Sequence, residues 1–180
     1  MNDNNAQYSV QALPQLQPDS KPFPAFLSDH LPFLPTMQSH MQEKSMTYAQ
    51  CACGALRVTP HEPPKLTALC HCFACQRRTG SPFSANAFYS IGCVEISGAS
   101  TEFIRTAESG RKVRMHFCPS CGSTVYWLPE GAPSLIGVAV GSFADPAFPP
   151  PTLSIFEQSK HEWVLLDKNT KHFLRMPDRE

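Results

Sequence analysis

Hydrophobic and polar residues alternate in short runs along most of the chain after residue 47, a pattern typical of strands that bury one face. In residues 113–117, for example, three apolar residues alternate with Arg114 and His116. No window of twelve or more residues shows a 3.6-residue apolar period. The pattern therefore predicts a mainly β domain, with strands over residues 55–58, 65–69, 83–89, 93–97, 101–106, 112–117, 123–128, 134–140, 153–157 and 163–166.

Two stretches between these runs have the composition of loops. Residues 107–110, AESG, separate two alternating runs and predict the loop of a β-hairpin. Residues 145–152, DPAFPPPT, contain too many prolines for a central strand and predict a rigid loop.

Residues 1–46 differ in composition from the rest of the chain. They contain six prolines and no glycine, together with many Gln, Asn and Ser residues. Each proline removes a backbone donor and restricts its neighbour, so we predict a disordered extension over residues 1–46, followed by the β domain over residues 47–180. Within the extension, residues 23–35 are apolar enough to form a short docking segment as an alternative to plain disorder.

The charge balance limits the classes of partner. The 15 Lys and Arg residues equal the 15 Asp and Glu residues, so nothing indicates a nucleic-acid backbone or an anionic membrane as a partner. No run approaches the roughly 20 apolar residues that span a bilayer. The first twenty residues lack the basic and apolar regions of a secretory signal, and we therefore expect a cytoplasmic protein.

Clustered cysteines carry the strongest chemical signal. Reducing compartments rarely keep disulfides, so clustered thiols there more often bind metal or act chemically. Two thiolates in a C-x2-C turn can reach one ion at about 2.3 Å. Seven of the eight cysteines fall in three clusters, and only Cys93 stands apart: Cys51 and Cys53; Cys70, Cys72 and Cys75; Cys118 and Cys121.

Seven clustered thiols divide most simply into four and three. A structural zinc is closed by four ligands, whereas a reactive zinc has three protein ligands and an open position. One partition joins Cys72 and Cys75 to the later C-x2-C pair, with 42 residues between the two pairs, a separation longer than in a typical zinc ribbon. The other joins Cys51 and Cys53 to that pair and leaves the middle cluster as an open triad. Spacing favours the second only modestly.

Four motifs together resemble the family of glutathione-dependent formaldehyde-activating enzymes. They are C-x-C-G from Cys51, C-H-C-x-x-C-x-R-x-T-G from Cys70, F-C-x-x-C-G from Phe117, and the pair WV at 163–164. The resemblance covers residues 48 to about 166 and leaves the extension outside. It implies a single zinc-stabilised domain of the β-tent type with two zinc ions per chain. The implied ligands are Cys51, Cys53, Cys118 and Cys121 for a structural zinc, and Cys70, Cys72 and Cys75 for a catalytic zinc.

The resemblance also implies a carbon–sulfur lyase reaction, like that of S-(hydroxymethyl)glutathione synthase. An open three-thiolate zinc suits a small-molecule thiol such as glutathione, which would add to an aldehyde such as formaldehyde. Arg77 and Arg78 are the nearest candidates to bind the carboxylates of glutathione. Thr79 and Gly80 match the family motif and are expected chiefly to shape the turn beside the metal, with direct contact to the substrate as the lesser alternative.

Some residues near these motifs receive a weaker interpretation. The chain direction at His71, between two candidate ligands, is expected to turn its ring away from the metal. His116 is most simply an exposed strand histidine, although a proton-carrying role beside Cys118 is the alternative. Trp127 and Trp163 are expected in the core or in a pocket wall.

Two other functions compete with the enzyme. The domain could be a zinc-stabilised, non-catalytic binding module, because a vertebrate branch of the family, centromere protein V, is associated with chromosomes and microtubules. That role would favour a basic extension, whereas residues 1–46 carry four acidic and two basic residues. A redox protein using Cys72 and Cys75 would be expected to show the βαβ pattern of thioredoxin-like motifs, which the sequence lacks.

Overall fold

Residues 48–177 are described by the computed structural model of the chain, and the disordered extension predicted over residues 1–46 lies outside them. The described part contains eleven strands, one α-helix and three short 3-10 helices, which confirms the mainly β fold class. The strands are β1 (Ala49–Gln50), β2 (Arg57–Pro60), β3 (Leu66–Cys70), β4 (Ser84–Ser90), β5 (Val94–Ser97), β6 (Thr101–Thr106), β7 (Lys112–Phe117), β8 (Thr124–Pro129), β9 (Leu135–Ala139), β10 (Leu153–Ile155) and β11 (Lys171–His172). The helices are α1 (Phe73–Thr79) and the 3-10 helices Ile91–Cys93, Val140–Phe143 and Glu157–Ser159.

The strands form two sheets. A three-stranded antiparallel sheet has the order β1-β2-β5. An eight-stranded sheet has the order β11-β10-β3-β4-β9-β8-β7-β6, and only β10 pairs in parallel, with β3 and β11. The β6–β7 hairpin closes through the predicted loop, in which the Gly110 N–H bonds the Ala107 carbonyl at 2.9 Å and Gly110 has φ 77°. Strand β6 is an edge of the larger sheet.

The main hydrophobic core joins the two sheets. Val58 from the small sheet and Leu56, which precedes β2, pack with fully buried residues of the large sheet, including Val125, Ile136 and Val138. A second, smaller cluster forms around the three cysteines of the middle motif and Ile155. The two cysteine-bearing regions are therefore held by separate clusters of buried side chains.

One predicted strand is absent. Residues 163–166 form a turn followed by irregular chain, and the side chains of Trp163 and Leu165 are 68% and 91% exposed. The free side of β10, where such a strand could add, is paired instead with β11. The prediction of Trp163 as a core or pocket residue was also wrong.

The chain contains a helix that the periodicity did not predict. Helix α1 has only seven residues, too few to show an apolar period, and only Cys75 on it is buried. Among residues 48–177, this helix and the 3-10 turns are too short to span a bilayer.

Candidate metal centres

The first cysteine group joins the beginning of the domain to the β7–β8 turn. The Sγ atoms of all four members lie within 4.8 Å of one another. Two of the cysteines are buried and two are exposed, so the group lies at the surface with one side closed. Its members are Cys51, Cys53, Cys118 and Cys121.

Tight backbone turns bring these thiols together. Gly54 follows the first pair at φ 76°, and its N–H bonds the Cys51 carbonyl at 2.9 Å. Gly122 follows the second pair at φ 72°, and its N–H bonds the Cys118 carbonyl at 2.9 Å. Glycine adopts this left-handed conformation without a steric cost, so the chain can turn tightly after each cysteine pair.

The sulfur distances fit a shared ion rather than disulfides. The Sγ atoms of Cys51 and Cys53 are 3.5 Å apart, and those of Cys53 and Cys118 are 3.6 Å apart. A disulfide requires about 2.05 Å. Two thiolates bound at about 2.3 Å to one tetrahedral ion lie about 3.8 Å apart. The four-cysteine group could therefore hold a metal ion, and thiolate-only ligands are of the kind that zinc prefers.

Hydrogen bonds favour the thiolate form of two members of this group, whereas at Cys53 a backbone hydrogen bond from Ala55 is outweighed by the neighbouring thiols, which raise the pKa to about 12. Ser123, whose Oγ lies 3.4 Å from the Cys121 sulfur, lowers the pKa of Cys121 to about 5 by hydrogen bonding. Burial alone would raise the pKa of Cys51, but the Leu56 N–H, 3.2 Å from its sulfur, and neighbouring thiols hold that pKa below its ordinary value. Both effects favour the deprotonated form that binds metal.

The second group consists of Cys70, Cys72 and Cys75. Cys70 ends β3, Cys72 caps the N-terminus of α1, and Cys75 lies in the first turns of that helix. All three are buried, and their Sγ atoms lie within 4.8 Å of one another. Because β3 is followed directly by α1, three thiols within six residues of the sequence lie close together.

Three adjacent buried thiols cannot all ionise without a counter-charge. Hydrogen bonds from Cys70 and Cys75 lower the pKa of Cys72 to about 2. Hydrogen bonds with Cys72 and Cys75, reinforced by burial, raise the pKa of Cys70 well above its ordinary value. One thiol of the triad therefore ionises readily. Its negative charge opposes ionisation of the other two, and a bound divalent cation would offset that repulsion.

Within residues 48–177, no fourth Cys, His, Asp or Glu joins the triad. His71 is fully buried, and its Nε2 lies 3.1 Å from Ser154 Oγ, while its ring meets the edge of Phe83. The expectation that this ring turns away from the three sulfurs is confirmed. The triad could hold an ion with protein ligands on three sides only.

The turn after the triad is held by its own backbone. The Thr79 hydroxyl lies 2.9 Å from the Cys75 carbonyl and 3.1 Å from the Phe83 carbonyl, so it bridges the helix end and the next strand. Gly80 ends the helix at φ 65°, and its N–H bonds the Gln76 carbonyl at 2.8 Å. Thr79 and Gly80 thus shape this turn and lie outside the cavity described next.

A cavity of about 500 Å³ adjoins α1. Its cationic wall is made of Arg77 and Arg78 from the helix and Arg105 from β6. Arg105 interacts electrostatically with Cys72, and Arg78 with Cys75, so the cavity lies beside the triad. Arg105 was not singled out from the sequence.

The cavity also has an apolar wall. Phe103 from β6 lies in register with Met115 from β7, and Phe117 continues the same face. The alternation of β7 predicted this shared face, and the same alternation places Phe103 beside Arg105 on β6. The remaining lining residues are small: Ala74, Gly122 and Thr124.

The polar face of β7 points away from the cavity. Arg114 Nε lies 2.6 Å from Glu102 Oε2, so this guanidinium already has a carboxylate partner. His116 is stacked on Tyr126, with ring centroids 4.4 Å apart, and its side chain is only 12% exposed. The expectation of an exposed strand histidine was therefore wrong, because Tyr126 from β8 covers the ring.

The described residues thus form a mainly β domain with one four-cysteine and one three-cysteine group, each of which could hold a metal ion. The chain belongs to the family of glutathione-dependent formaldehyde-activating enzymes, whose profile matches residues 46–159. Among solved structures, a crystal structure of a Rhodobacter sphaeroides protein is similar, with 21% identity over 53% of this chain and 85% of that chain and a TM-score of 0.41. A search of curated proteins gives no match.

Proposed function

We propose that the protein is a zinc-dependent enzyme of the carbon–sulfur lyase type. It would activate a thiol such as glutathione for adduct formation with an aldehyde such as formaldehyde, the pair that the family description names. The observation that carries the proposal is the buried triad Cys70, Cys72 and Cys75, which gathers three thiols without a fourth protein ligand beside a cationic cavity.

Two zinc ions per chain would have different tasks. The four-cysteine group ties residues near the start of the domain to the β7–β8 turn, 65 residues further on, and suits a structural ion. The triad suits a catalytic ion, because its three ligands leave one coordination position for a reactant. The role of each cysteine is thus part of the proposal.

When bound at the triad, zinc would supply an open position that favours the thiolate form of an incoming thiol. Arg77 and Arg78 would hold carboxylates of that thiol and fix its orientation. Thr79 and Gly80 would contribute by maintaining the turn that places these arginines after Cys75.

The reaction conserves all atoms of the two reactants. The thiol loses its proton, its sulfur forms a bond to the aldehyde carbon, and the electron pair of the C=O π bond moves to oxygen. That oxygen takes up a proton, and the product is a hemithioacetal. The reverse reaction breaks the same carbon–sulfur bond, which is why the chemistry belongs to the lyase type.

The domain division and location belong to the same proposal. We assign residues 1–46 to a non-catalytic extension and residues 47–180 to the catalytic domain, and the family match begins at residue 46. A cytoplasmic location suits the eight cysteines, all of which are free thiols. We propose a small-molecule thiol as the partner.

Exchange NMR tests the proposal directly. Glutathione and formaldehyde are mixed with the zinc-loaded full chain, and interconversion with S-hydroxymethylglutathione is measured with and without protein. Accelerated exchange that is lost in Cys72→Ser supports the enzyme. Unchanged exchange, together with no binding of glutathione, would refute it and favour a zinc-stabilised binding module.

A further inference from the structure

The cavity beside the triad has an unusual balance of charge. Three of its lining residues are arginines, and no acidic or amide side chain lines it. Within residues 48–177, no carboxylate oxygen lies within 4.0 Å of a side-chain nitrogen of Arg77, Arg78 or Arg105, although Arg114 on the other face of the same sheet has such a partner. The cavity is therefore built to receive negative charge.

The like charges of these arginines also act on one another. Arg78 and Arg105 line the same cavity, so their positive charges repel each other. The guanidinium of Arg78 is fixed by Trp127, whose ring centroid is 5.0 Å away, and by a hydrogen bond to Ser84 Oγ. An anion placed between the two guanidinium groups would relieve their repulsion without reorganising Arg78.

The apolar wall of the cavity indicates that its ligand has an apolar group as well as a negative charge. Phe103 is 59% exposed although it lies directly opposite Met115 in the hairpin, and Phe117 extends the same surface. Large aromatic side chains that line a concave site are typical of ligand pockets, since they gain free energy when an apolar group covers them. A ligand of small polar groups would leave this surface in water.

We propose that the thiol which this site takes carries an apolar body of about the size of a phenyl ring together with a carboxylate. The inference rests on the proposed function, because it assumes that the sulfur of the ligand goes to the triad. The apolar body would contact Phe103, Met115 and Phe117, and the carboxylate would lie between Arg78 and Arg105.

Glutathione matches this cavity less well than such a thiol. It carries an ammonium group and two amides, and the lining offers no carboxylate or side-chain amide to pair with them. Polar groups that lose water without gaining a partner cost binding free energy. An arylalkyl thiol with one carboxylate avoids this cost and covers the apolar wall.

Isothermal titration calorimetry with the zinc-loaded full chain tests the inference. The probes are 2-mercapto-3-phenylpropanoate, 2-mercaptopropanoate without the ring, 2-phenylethanethiol without the carboxylate, and glutathione. We expect the first probe to bind at least about tenfold more tightly than each of the others, because a buried ring and a paired carboxylate each contribute that much.

Variants separate the two features of the cavity. Arg105→Gln should remove most of the advantage that the carboxylate gives, and Phe103→Ala most of the advantage that the ring gives. Arg114→Gln, on the outer face of the same hairpin, should change each dissociation constant by less than about twofold. Binding of 3-phenylpropanoate, which has no sulfur, should weaken in Arg105→Gln as well, a readout that does not depend on the metal.

The outcomes for the inference and for the proposed function are distinguishable. If glutathione binds as tightly as 2-mercapto-3-phenylpropanoate, or if removing the ring costs nothing, the inference is overturned while the proposed function stands. If none of the thiols binds, glutathione included, the proposed function fails and the inference falls with it.

Discussion

The guanidinium of Arg78 lies over the indole ring of Trp127, 5.0 Å from its centroid. Trp127 is 6% exposed and lies directly opposite Gly137 in the β8–β9 pairing. A Cβ atom on residue 137 would lie 2.3 Å from the indole ring, far inside van der Waals contact. Because residue 137 on β9 is glycine, the indole of Trp127 has room to lie beneath the guanidinium of Arg78.

Replacing Gly137 should displace the indole. We expect Gly137→Ala to lower the free energy of unfolding by about 1–3 kcal/mol, the usual cost of overpacking. Urea denaturation measures this loss, and fluorescence in a Trp163→Phe background reports Trp127 alone. Gly141→Ala is the control, because nothing lies within 4 Å of its added Cβ. Equal stability of the two variants would contradict the argument.

The geometry of Arg78, beyond its charge, should matter for binding. Arg78→Lys keeps the positive charge but loses the planar group that stacks on Trp127 and bonds Ser84. We expect the dissociation constant of a carboxylate-bearing thiol such as 2-mercaptopropanoate to rise by about tenfold, as for the loss of a hydrogen bond to a charged group. Calorimetry on the zinc-loaded protein measures it.

The matched control for that experiment is Arg114→Lys. Arg114 pairs with Glu102 on the face of the sheet that points away from the cavity. Its replacement should leave thiol binding within about twofold of the wild type. If both lysine variants weaken thiol binding equally, the weaker binding of Arg78→Lys would not be specific to the cavity, and the assigned role of Arg78 would be wrong.

Alternation predicted every strand of the large sheet except the two-residue β11. It works for β7 because Met115 faces the interior of the domain while Arg114 faces water. It fails for residues 163–166, where hydrophobic residues occur without a neighbouring strand to pair with. Whether a run becomes a strand depends on a free sheet edge, and the edge of β10 is taken by Lys171–His172.

The cysteine groups were predictable in part. Spacing alone left two partitions open, and the resemblance chose between them; the structure brings Cys51 close to Cys118 and keeps Cys72 with Cys75. Arg105 was beyond sequence reasoning for a different reason. It lies 27 positions after Arg78, and only the fold brings the two residues to the same cavity.

The partly buried carboxylate of Glu157 predicts a pH dependence of stability. Burial alone would raise the pKa of Glu157, but hydrogen bonds from Ser154 and His172 hold it below its ordinary value of 4.5. The folded state therefore binds fewer protons than the unfolded state between these two pKa values. The resulting stabilisation is complete above the ordinary pKa and is lost as the pH falls through the lower, folded value.

Glu157→Gln should show that dependence. At about pH 6 the variant should be less stable than the wild type by about 1 kcal/mol, and the difference should shrink as the pH falls below about 4.5. Urea denaturation over this pH range measures it. Glu162→Gln, an exposed carboxylate nearby, is the control and should show no such trend. A constant difference at all pH values would contradict the assignment.

The two cysteine groups should respond differently to the loss of one ligand. Cys121→Ser should lose the structural ion and with it most of the free energy of unfolding, about 5–15 kcal/mol for such a domain, because this ion would stabilise only the folded chain. Cys72→Ser should lose one zinc per chain yet keep its β circular dichroism, since the triad lies in a separate cluster of buried side chains. Elemental analysis of zinc per chain and thermal melts measure both. Cys93→Ser, outside both groups, should keep two ions. A folded Cys121→Ser, or a Cys72→Ser that retains both ions, would show that the structural and catalytic assignments are wrong.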